Sequence, residues 1–445
     1  MPFSTEALLH ALPSALPVRR YLVAFSGGLD SLVLLHALTT LRDRLTAPEL
    51  QAIHVNHGLS ANAVHWCEHC VQQCAELGVA LSLRSVDAKP LAGESPEAAA
   101  RNARYAVLRE MVREGDCLLT AHHQDDQAET LLLQLLRGAG PKGLAAMPAM
   151  NGFAAGWHVR PLLGFRREQL QAYARQHGLD WIDDESNFDT GFDRNFLRHE
   201  ILPQLTQRFP GLASTLSRSA VLCAEAAELL ADTARADAQS VSVSDDRLSV
   251  QGLRELGEVR ARNLLHWWVG ERGLPVPSAA QLQNIWREGV CAAPDATPLI
   301  RWQGGEVRRY RDALYVMPPL APYMATGEWC WDMRQPLVIA GVGSLSAVPQ
   351  AGQALSLAAL EGKQLIVRFR RGGERLRLPG REGHHDVKKL FQEAGVPPWQ
   401  RQRTPLLFCG DDLAAVVGHW VAAEYQAGPE EPAVNLQLET NAEVI

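Results

Sequence analysis

Short apolar runs alternate with longer amphipathic stretches in the first part of the chain, from residue 20 onward. Short apolar runs are typical of buried parallel strands, and the amphipathic stretches between them are typical of the helices of βα units. The pattern therefore predicts an α/β fold with a doubly wound parallel sheet. The predicted strands are 21–25, 51–55, 79–86 and 117–121, and the predicted helices are 30–41, 61–77, 96–114 and 124–137.

The pattern changes after Pro210. An alanine- and leucine-rich stretch begins at residue 212 and helical periodicity continues through Trp286, which predicts a mainly helical domain. A run rich in Gly and Pro is typical of a linker, and the C-terminal part has the mixed pattern of a small α+β domain. The predicted segments are 1–210 for an α/β catalytic domain, 211–320 for the helical domain, 321–350 for the linker and 351–445 for the C-terminal domain.

Composition places the chain among globular proteins. It has 445 residues, of which 47% are hydrophobic and 21% are charged, so it can bury several cores. No apolar run approaches the roughly 18 residues needed to span a bilayer, and no membrane association is predicted. The eight cysteines are scattered, which favours a reducing cytoplasmic location over a disulfide framework.

Charge is unevenly distributed. The net charge of −7 argues against a uniformly basic, nucleic-acid-coating protein. Residues 363–403, however, contain 11 Lys and Arg residues against 4 Asp and Glu residues. Cations mixed with aromatic residues such as Trp399 suit contacts with RNA phosphates and bases. The segment therefore predicts RNA contact, with an ordinary solvated face as the alternative.

The stretch SGGLDS at 26–31 lies between a predicted strand and a predicted helix. Backbone N–H groups in such a glycine-containing turn can bind an anion. The Gly-Lys-[Ser/Thr] of a Walker loop and the spacing of a dinucleotide motif are both missing. Asp30 would repel a phosphate unless Mg²⁺ lay between them, so the turn predicts a phosphate site with Mg²⁺. The residues concerned are Ser26, Gly27, Gly28, Leu29, Asp30 and Ser31.

A second polar motif, TAHHQDDQAET, covers residues 120–130. His122, Asp126 and Glu129 have i, i+4 and i+7 spacing and would share one face of a continuous helix. Such a set could bind a transition metal or an ammonium group. Acidic residues at a helix start could also be simple caps. The motif alone leaves these alternatives open.

Both motifs resemble those of known families. SGGLDS is similar to the S-G-G-x-D-S loop of the PP-loop ATP pyrophosphatases. The run AHHQDDQAET and the following RGAGPKGL resemble A-H-H-x-D-D-x-x-E-T and R-G-x-G-x-x-G-L of their tRNA(Ile)-lysidine synthetase branch. The basic C-terminal segment resembles that of the long, three-domain form of this branch.

The resemblance implies an activity. ATP would be split between its α and β phosphates to adenylate the wobble cytidine of the CAU anticodon of an isoleucine tRNA. L-Lysine would then displace AMP to give lysidine. The sequence leaves the oligomeric state open, a homodimer included.

The resemblance also implies roles for individual residues. Ser26–Ser31 would bind ATP phosphates, with Asp30 holding Mg²⁺, and His57 would contact the base or ribose. Asp126 and Glu129 would bind or deprotonate the lysine amine, and Arg194 would stabilise developing negative charge. The residues expected to orient substrate groups are His122 and Arg101, the latter in an A-R-x-x-R-Y helix.

Parts of the sequence are also compatible with two rival functions. A PP-loop tRNA thiolase would use cysteines, and Cys67, Cys70 and Cys74 lie close together in sequence. Their spacing puts the thiols on one helix face, however, and free cysteine is commonly buried. A non-catalytic nucleotide-binding RNA-binding protein would keep the basic segment without consuming ATP.

Overall fold

The computed structural model describes residues 2–47, 49–56, 58, 62–86, 96–183, 185–244, 246–293 and 295–439. The chain divides into two compact units, residues 1–230 and 231–445. His57, the residue expected to contact the base or ribose, lies outside the described residues.

The first unit is built on one mixed sheet with the strand order β3-β2-β1-β4-β6-β5. β1 pairs in parallel with both β2 and β4, so the strand order reverses direction at β1. β5 pairs antiparallel with β6 at the edge. The predicted doubly wound α/β fold is confirmed. The strands are β1 (Arg20–Ala24), β2 (Glu49–Asn56), β3 (Ala80–Ser85), β4 (Asp116–Leu119), β5 (Met150–Phe153) and β6 (Gly156–Val159).

Helices connect and cover these strands. Long helices follow β1, β2, β3 and β4 in turn, as parallel connections require. Leu32 and Val33 are buried on the helix after β1, which packs into the core beneath the sheet. The helices are α1 (Thr5–Ala11), α2 (Leu29–Thr40), α3 (Ala63–Glu76), α4 (Pro96–Met111), α5 (Gln124–Leu136), α6 (Pro141–Leu144), α7 (Arg167–Gln176), α8 (Asp193–Phe196), α9 (Leu202–Arg208) and α10 (Leu212–Val241). Short 3₁₀ helices cover Arg42–Arg44 and Glu185–Phe188, and a π-helix covers Leu197–Ile201.

The middle region is helical as predicted and also contains a five-stranded sheet, in the order β7-β8-β11-β10-β9. Its strands are short, and the pattern of apolar residues did not predict them. The strands are β7 (Ser242–Ser244), β8 (Arg247–Ser249), β9 (Leu299–Trp302), β10 (Gly305–Tyr310) and β11 (Ala313–Met317). The helices are α11 (Val250–Leu256), α12 (Glu258–Glu271) and α13 (Ala279–Asn284), followed by a π-helix at Ile285–Val290.

The C-terminal region is α+β, as predicted. The segment 321–350, predicted as a linker, contributes strands that pair with strands nearer the C-terminus. The strands are β12 (Glu328–Cys330), β13 (Leu337–Ile339), β14 (Gly343–Ala351), β15 (Leu355–Ser356), β16 (Leu365–Arg368), β17 (Arg375–Arg377), β18 (His384–Asp386), β19 (Leu406–Cys409), β20 (Asp412–Val416), β21 (Trp420–Val421) and β22 (Pro432–Glu439). The helices are α14 (Leu357–Leu360), α15 (Val387–Glu393), α16 (Pro398–Arg401) and a 3₁₀ turn at Ala423–Tyr425.

None of the helices in the described part of the chain combines the length and the apolar character needed to cross a bilayer.

Candidate active site

The loop after β1 is held in shape by its two serines. Ser31 is buried at the start of α2, and its hydroxyl donates to the Gly28 carbonyl at 3.0 Å and accepts from the Ser26 N–H at 3.2 Å. The Ser26 hydroxyl lies 3.0 Å from that of Ser31. Gly28 caps α2 without a side-chain hydrogen bond, which leaves N–H groups at the helix start available to an anion.

Gly27 is the residue of this loop that packs most closely against a neighbouring helix. Its φ is +81°, and a Cβ atom there would lie 2.9 Å from Sγ of Cys70 and 3.5 Å from Cδ2 of His69. Both neighbours are on α3, so this helix packs directly against the loop. Only glycine fits this position without displacing α3.

Asp30 and His123 connect this loop to the second motif. Nε2 of His123 lies 3.6 Å from Oδ2 of Asp30 and 3.5 Å from Oδ2 of Asp126, and Nδ1 lies 3.6 Å from Oδ2 of Asp125. β1 and β4 are adjacent strands, and their carboxyl ends bring these residues together at the point where the strand order reverses.

His123 was not singled out from the sequence, although it lies in the recognised motif. Burial alone would lower its pKa, but the carboxylates of Asp126, Asp30 and Asp125 raise the pKa to about 9. His123 is therefore an imidazolium at neutral pH. It is also the N-cap residue of α5, and its backbone N–H donates to the Asp126 carboxylate at 3.0 Å.

Glu129 and Asp126 share one arginine. Arg198 donates from Nε and Nη2 to the two carboxylate oxygens of Glu129 at 2.6 and 2.8 Å, and from Nη2 to Asp126 at 3.0 Å. Arg194 lies 3.2 Å from Glu129 and donates to the Thr130 hydroxyl at 2.7 Å. Glu129 is 1% exposed, so this carboxylate faces arginines rather than solvent.

The electrostatics of the two carboxylates differ. Burial and the nearby Asp126 raise the pKa of Glu129, against the opposing effect of Arg198 and Arg194. Burial also favours a raised pKa for Asp126. His123, His122 and Arg198 outweigh this effect and hold the pKa of Asp126 below its ordinary value. Asp126 therefore stays ionised to a lower pH than Glu129 does.

His122 does not share the helix face predicted for it. α5 begins at Gln124, as predicted, with His123 as its cap, so His122 lies before the helix and the condition for a shared face, a helix continuous from His122, is not met. Nδ1 of His122 lies 2.9 Å from the Thr120 hydroxyl. Burial, together with Arg160, Arg104 and Arg194, lowers its pKa to about 3 despite the opposing charge of Asp126.

Arg101 and Arg104 lie on α4, and their guanidinium carbons lie 5.3 and 5.6 Å from the centre of the Tyr105 ring. Burial lowers the pKa of Arg104, and the nearby Arg101 and Arg194 lower it further. Arg104 thus lies near both Arg101 and Arg194, and Arg104 and Arg194 also act on the charge state of His122. A positive side formed by these arginines adjoins the acidic side formed by Asp30, Asp125 and Asp126.

Two of the cysteines next to the loop are buried. Cys70 and Cys74 are buried on α3, and burial raises the pKa of each thiol to about 12. Among the described residues, no group of three or more His, Cys, Asp or Glu side chains is arranged to hold a metal ion. The burial and the raised pKa of Cys70 and Cys74 agree with the structural interpretation of these two cysteines.

Asp30 is suited to a different kind of metal site. Its Oδ1 is buried and has no hydrogen-bond partner in the described chain. Mg²⁺ is commonly bound by one or two carboxylates together with substrate phosphates, rather than by a complete protein cage. A single unpartnered carboxylate oxygen beside a phosphate loop fits that requirement.

Family models match three parts of the chain. They describe a PP-loop domain at 4–205, a TilS substrate binding domain at 248–315 and a TilS substrate C-terminal domain at 365–438. A tRNA(Ile)-lysidine synthase from Methylococcus capsulatus is 47% identical over 93% of this chain and 95% of its own. The chain belongs to the tRNA(Ile)-lysidine synthase family. The predicted resemblance is confirmed.

A second relative agrees with this assignment. A tRNA(Ile)-lysidine synthase from Coxiella burnetii is 40% identical over 98% of this chain and 97% of its own. Among solved structures, the U34-tRNA thiolase NcsA from Methanococcus maripaludis is 17% identical with a TM-score of 0.43, covering 50% of this chain and 77% of its own. That structural likeness is too weak to support a thiolase function.

Proposed function

We propose that this member of the tRNA(Ile)-lysidine synthase family ligates L-lysine to the wobble cytidine of the CAU anticodon of isoleucine tRNA. The cytidine 2-oxygen attacks the α-phosphorus of ATP and pyrophosphate leaves. The lysine ε-amine then attacks C2, AMP leaves with that oxygen, and the amine loses a proton. The observation that carries the proposal is the full-length similarity to synthases of this name, combined with a phosphate loop adjoining an acidic cluster.

The loop residues bind the ATP phosphates in this proposal. N–H groups from Gly27 to Asp30 lie at the start of α2, where the positive end of the helix dipole favours an anion. Asp30 holds Mg²⁺, which would neutralise phosphate charge. The assignment of His57 to the base or ribose stays a prediction.

The lysine amine is assigned to Asp126 and Glu129. Arg198 engages both carboxylates, so binding of the ammonium group there requires Arg198 to give up some of its hydrogen bonds. Arg194 and Arg101 are assigned to negative charge on the phosphates, since arginine side chains recognise phosphate well. These roles rest on position and charge.

RNA contact is assigned to the C-terminal region. Arg368, Arg371 and Arg377 of the basic segment pair with carboxylates from outside it, Glu328 and Glu424, which lowers its exposed positive charge. Exposed cations of the basic segment that have no acidic partner in the described chain include Arg375 on β17 and Lys388 and Lys389 on α15. We assign these three to tRNA phosphates. A cytoplasmic location follows from the tRNA substrate, and a homodimer stays an open alternative.

The decisive experiment supplies α-labelled ATP, labelled lysine and isoleucine tRNA, and omits each in turn. Lysine label should enter the tRNA only when all three are present, with AMP and pyrophosphate released in equal amounts. Methionine tRNA, which also has a CAU anticodon, is the matched control for tRNA choice. Transfer of sulfur in place of lysine, or tRNA binding without AMP release, would contradict the proposal.

A further inference from the structure

A chain of four polar side chains leads from the core of the first unit to His122. Nη2 of Arg160 lies 3.2 Å from Nδ1 of His158, whose Nε2 lies 2.9 Å from the Thr120 hydroxyl. The same hydroxyl lies 2.9 Å from Nδ1 of His122. His158 is 1% exposed, and Thr120 and Arg160 are also buried, so water does not compete for these bonds.

The direction of the first bond is determined by Arg160. A guanidinium has only donors, so Nδ1 of His158 must accept. His158 is neutral because burial, together with Arg160, His122, Arg101 and Arg104, lowers its pKa to about 3. A neutral imidazole that accepts at Nδ1 carries its proton on Nε2. His158 therefore donates to the Thr120 hydroxyl.

The orientation of the Thr120 hydroxyl determines which ring nitrogen of His122 carries a proton. Thr120 has one proton, and its hydroxyl contacts only the two imidazole nitrogens within the described chain. If His122 also donated to this oxygen, the hydroxyl proton would be left buried without an acceptor, which is costly. Thr120 therefore donates to Nδ1 of His122. The neutral His122 ring must then carry its own proton on Nε2.

The Nε2 edge of the His122 ring lies among charged groups of the candidate active site. Asp126, Arg104, Arg160 and Arg194 all act on its charge state. Its Nε2 makes no hydrogen bond to any described residue. A neutral ring with an N–H beside arginines is suited to donate to a negatively charged oxygen, and its remaining nitrogen is already occupied by Thr120.

We propose that His122 serves the reaction as a neutral Nε2–H hydrogen-bond donor to a phosphate oxygen of the nucleotide, and that Arg160, His158 and Thr120 are positioning residues that select this tautomer. The proposal rests on the proposed function for the identity of the acceptor. It assigns His122 no role as a base toward lysine. A donor of this kind contributes about 100-fold or more to a rate when its acceptor gains charge.

The tautomer can be measured without any assay of activity. Protein labelled with ¹⁵N at histidine gives separate nitrogen signals for protonated and bare ring nitrogens, and comparison with H122Q identifies the His122 signals. At neutral pH we expect a bare Nδ1 and a protonated Nε2 in the wild type. In T120V the ring should become a mixture of tautomers, and in T120S it should stay as in the wild type. A proton on Nδ1, or a doubly protonated ring, would overturn the proposal.

Activity supplies the second test. H122F should lose about 100-fold in kcat for adenylation. H122Q should recover at least a tenth of the wild-type rate, because an amide N–H can replace the imidazole donor but cannot act as a base. T120V should lower kcat with little change in KM for ATP, and T120S should restore it. Equal losses in H122Q and H122F would contradict the donor role. If the wild type itself forms no lysidine, the proposed function fails while the tautomer result still stands.

Discussion

Arg198 and Glu129 form a two-point ion pair in which Nε and Nη2 of the arginine donate to separate carboxylate oxygens at 2.6 and 2.8 Å. The two residues are 69 positions apart in sequence, and the carboxylate is almost completely buried. Arg198 also donates to Asp126, so one guanidinium balances the negative charge of two carboxylates in the first two turns of α5. The pair links the segment after the sheet to the helix that carries the second polar motif.

Removing this arginine should destabilise the first unit. R198M leaves Glu129 buried with only Arg194 as a partner, and breaking a buried ion pair costs about 3 kcal/mol or more. The stability of R198K should lie between those of the wild type and R198M, because a lysine ammonium cannot donate to both carboxylate oxygens in the planar geometry of a guanidinium. Urea unfolding measures the free-energy change. The control is R44M, which removes an exposed pair with Glu6 in the same unit and should change stability by less than about 0.5 kcal/mol. Equal effects of R198M and R44M would contradict the structural role.

G27A should be far more damaging than G138A. Both glycines have positive φ, +81° and +71°, so alanine costs about 1–2 kcal/mol in backbone strain at either position. A Cβ at Gly27 would also press on Cys70, whereas a Cβ at Gly138 has open space. We expect G27A to lose ATP binding, measured by calorimetry, while G138A keeps it. Loss of binding in both variants would show that strain alone explains the effect.

Much of this arrangement was predictable from sequence, because buried apolar runs determine where strands lie. The strand at Arg20–Ala24 and the helix at Gln124–Leu136 match their predicted bounds to within one residue at each end. The pairing of Arg198 with Glu129 was not predictable, because tertiary folding alone brings such distant residues together. For the same reason, the ion pair between His123 and Asp30, which lies on α2, was missed.

The thiols of Cys70 and Cys74 should be inert at neutral pH. With a pKa of about 12 for each, almost none of either thiol is ionised, and thiolate is the reactive form. The exposed Cys291 and Cys330 should react with a maleimide first, as mass spectrometry of labelled peptides can establish. The double variant C67S/C70A should still form lysidine. Loss of all activity in a folded C67S/C70A protein would favour cysteine-dependent chemistry.

Acid should destabilise the first unit partly through His158. Its pKa is about 3 in the folded protein and 6.5 in an ordinary environment, so between these values the unfolded chain binds a proton that the folded chain does not. Stability conferred by the neutral ring is therefore complete above pH 6.5 and is lost as pH falls toward 3. H158Q lacks this titration, so the wild type should lose up to about 1.4 kcal/mol more than H158Q per pH unit. Urea unfolding of both proteins from neutral pH downward measures the difference, and parallel pH profiles would contradict it.

Lys388 and Lys389 should account for part of the salt dependence of tRNA binding. Both are exposed in the first turn of α15, next to the hairpin that carries Arg375. Each phosphate contact released contributes about 0.7–0.9 to the slope of log K against log salt, so K388Q/K389Q should reduce that slope by about 1.5. The matched control R287Q/R334Q removes two exposed cations from elsewhere in the second unit and has the same change in net charge. An equal reduction in both variants would mean that net charge, rather than a contact surface at α15, determines the affinity.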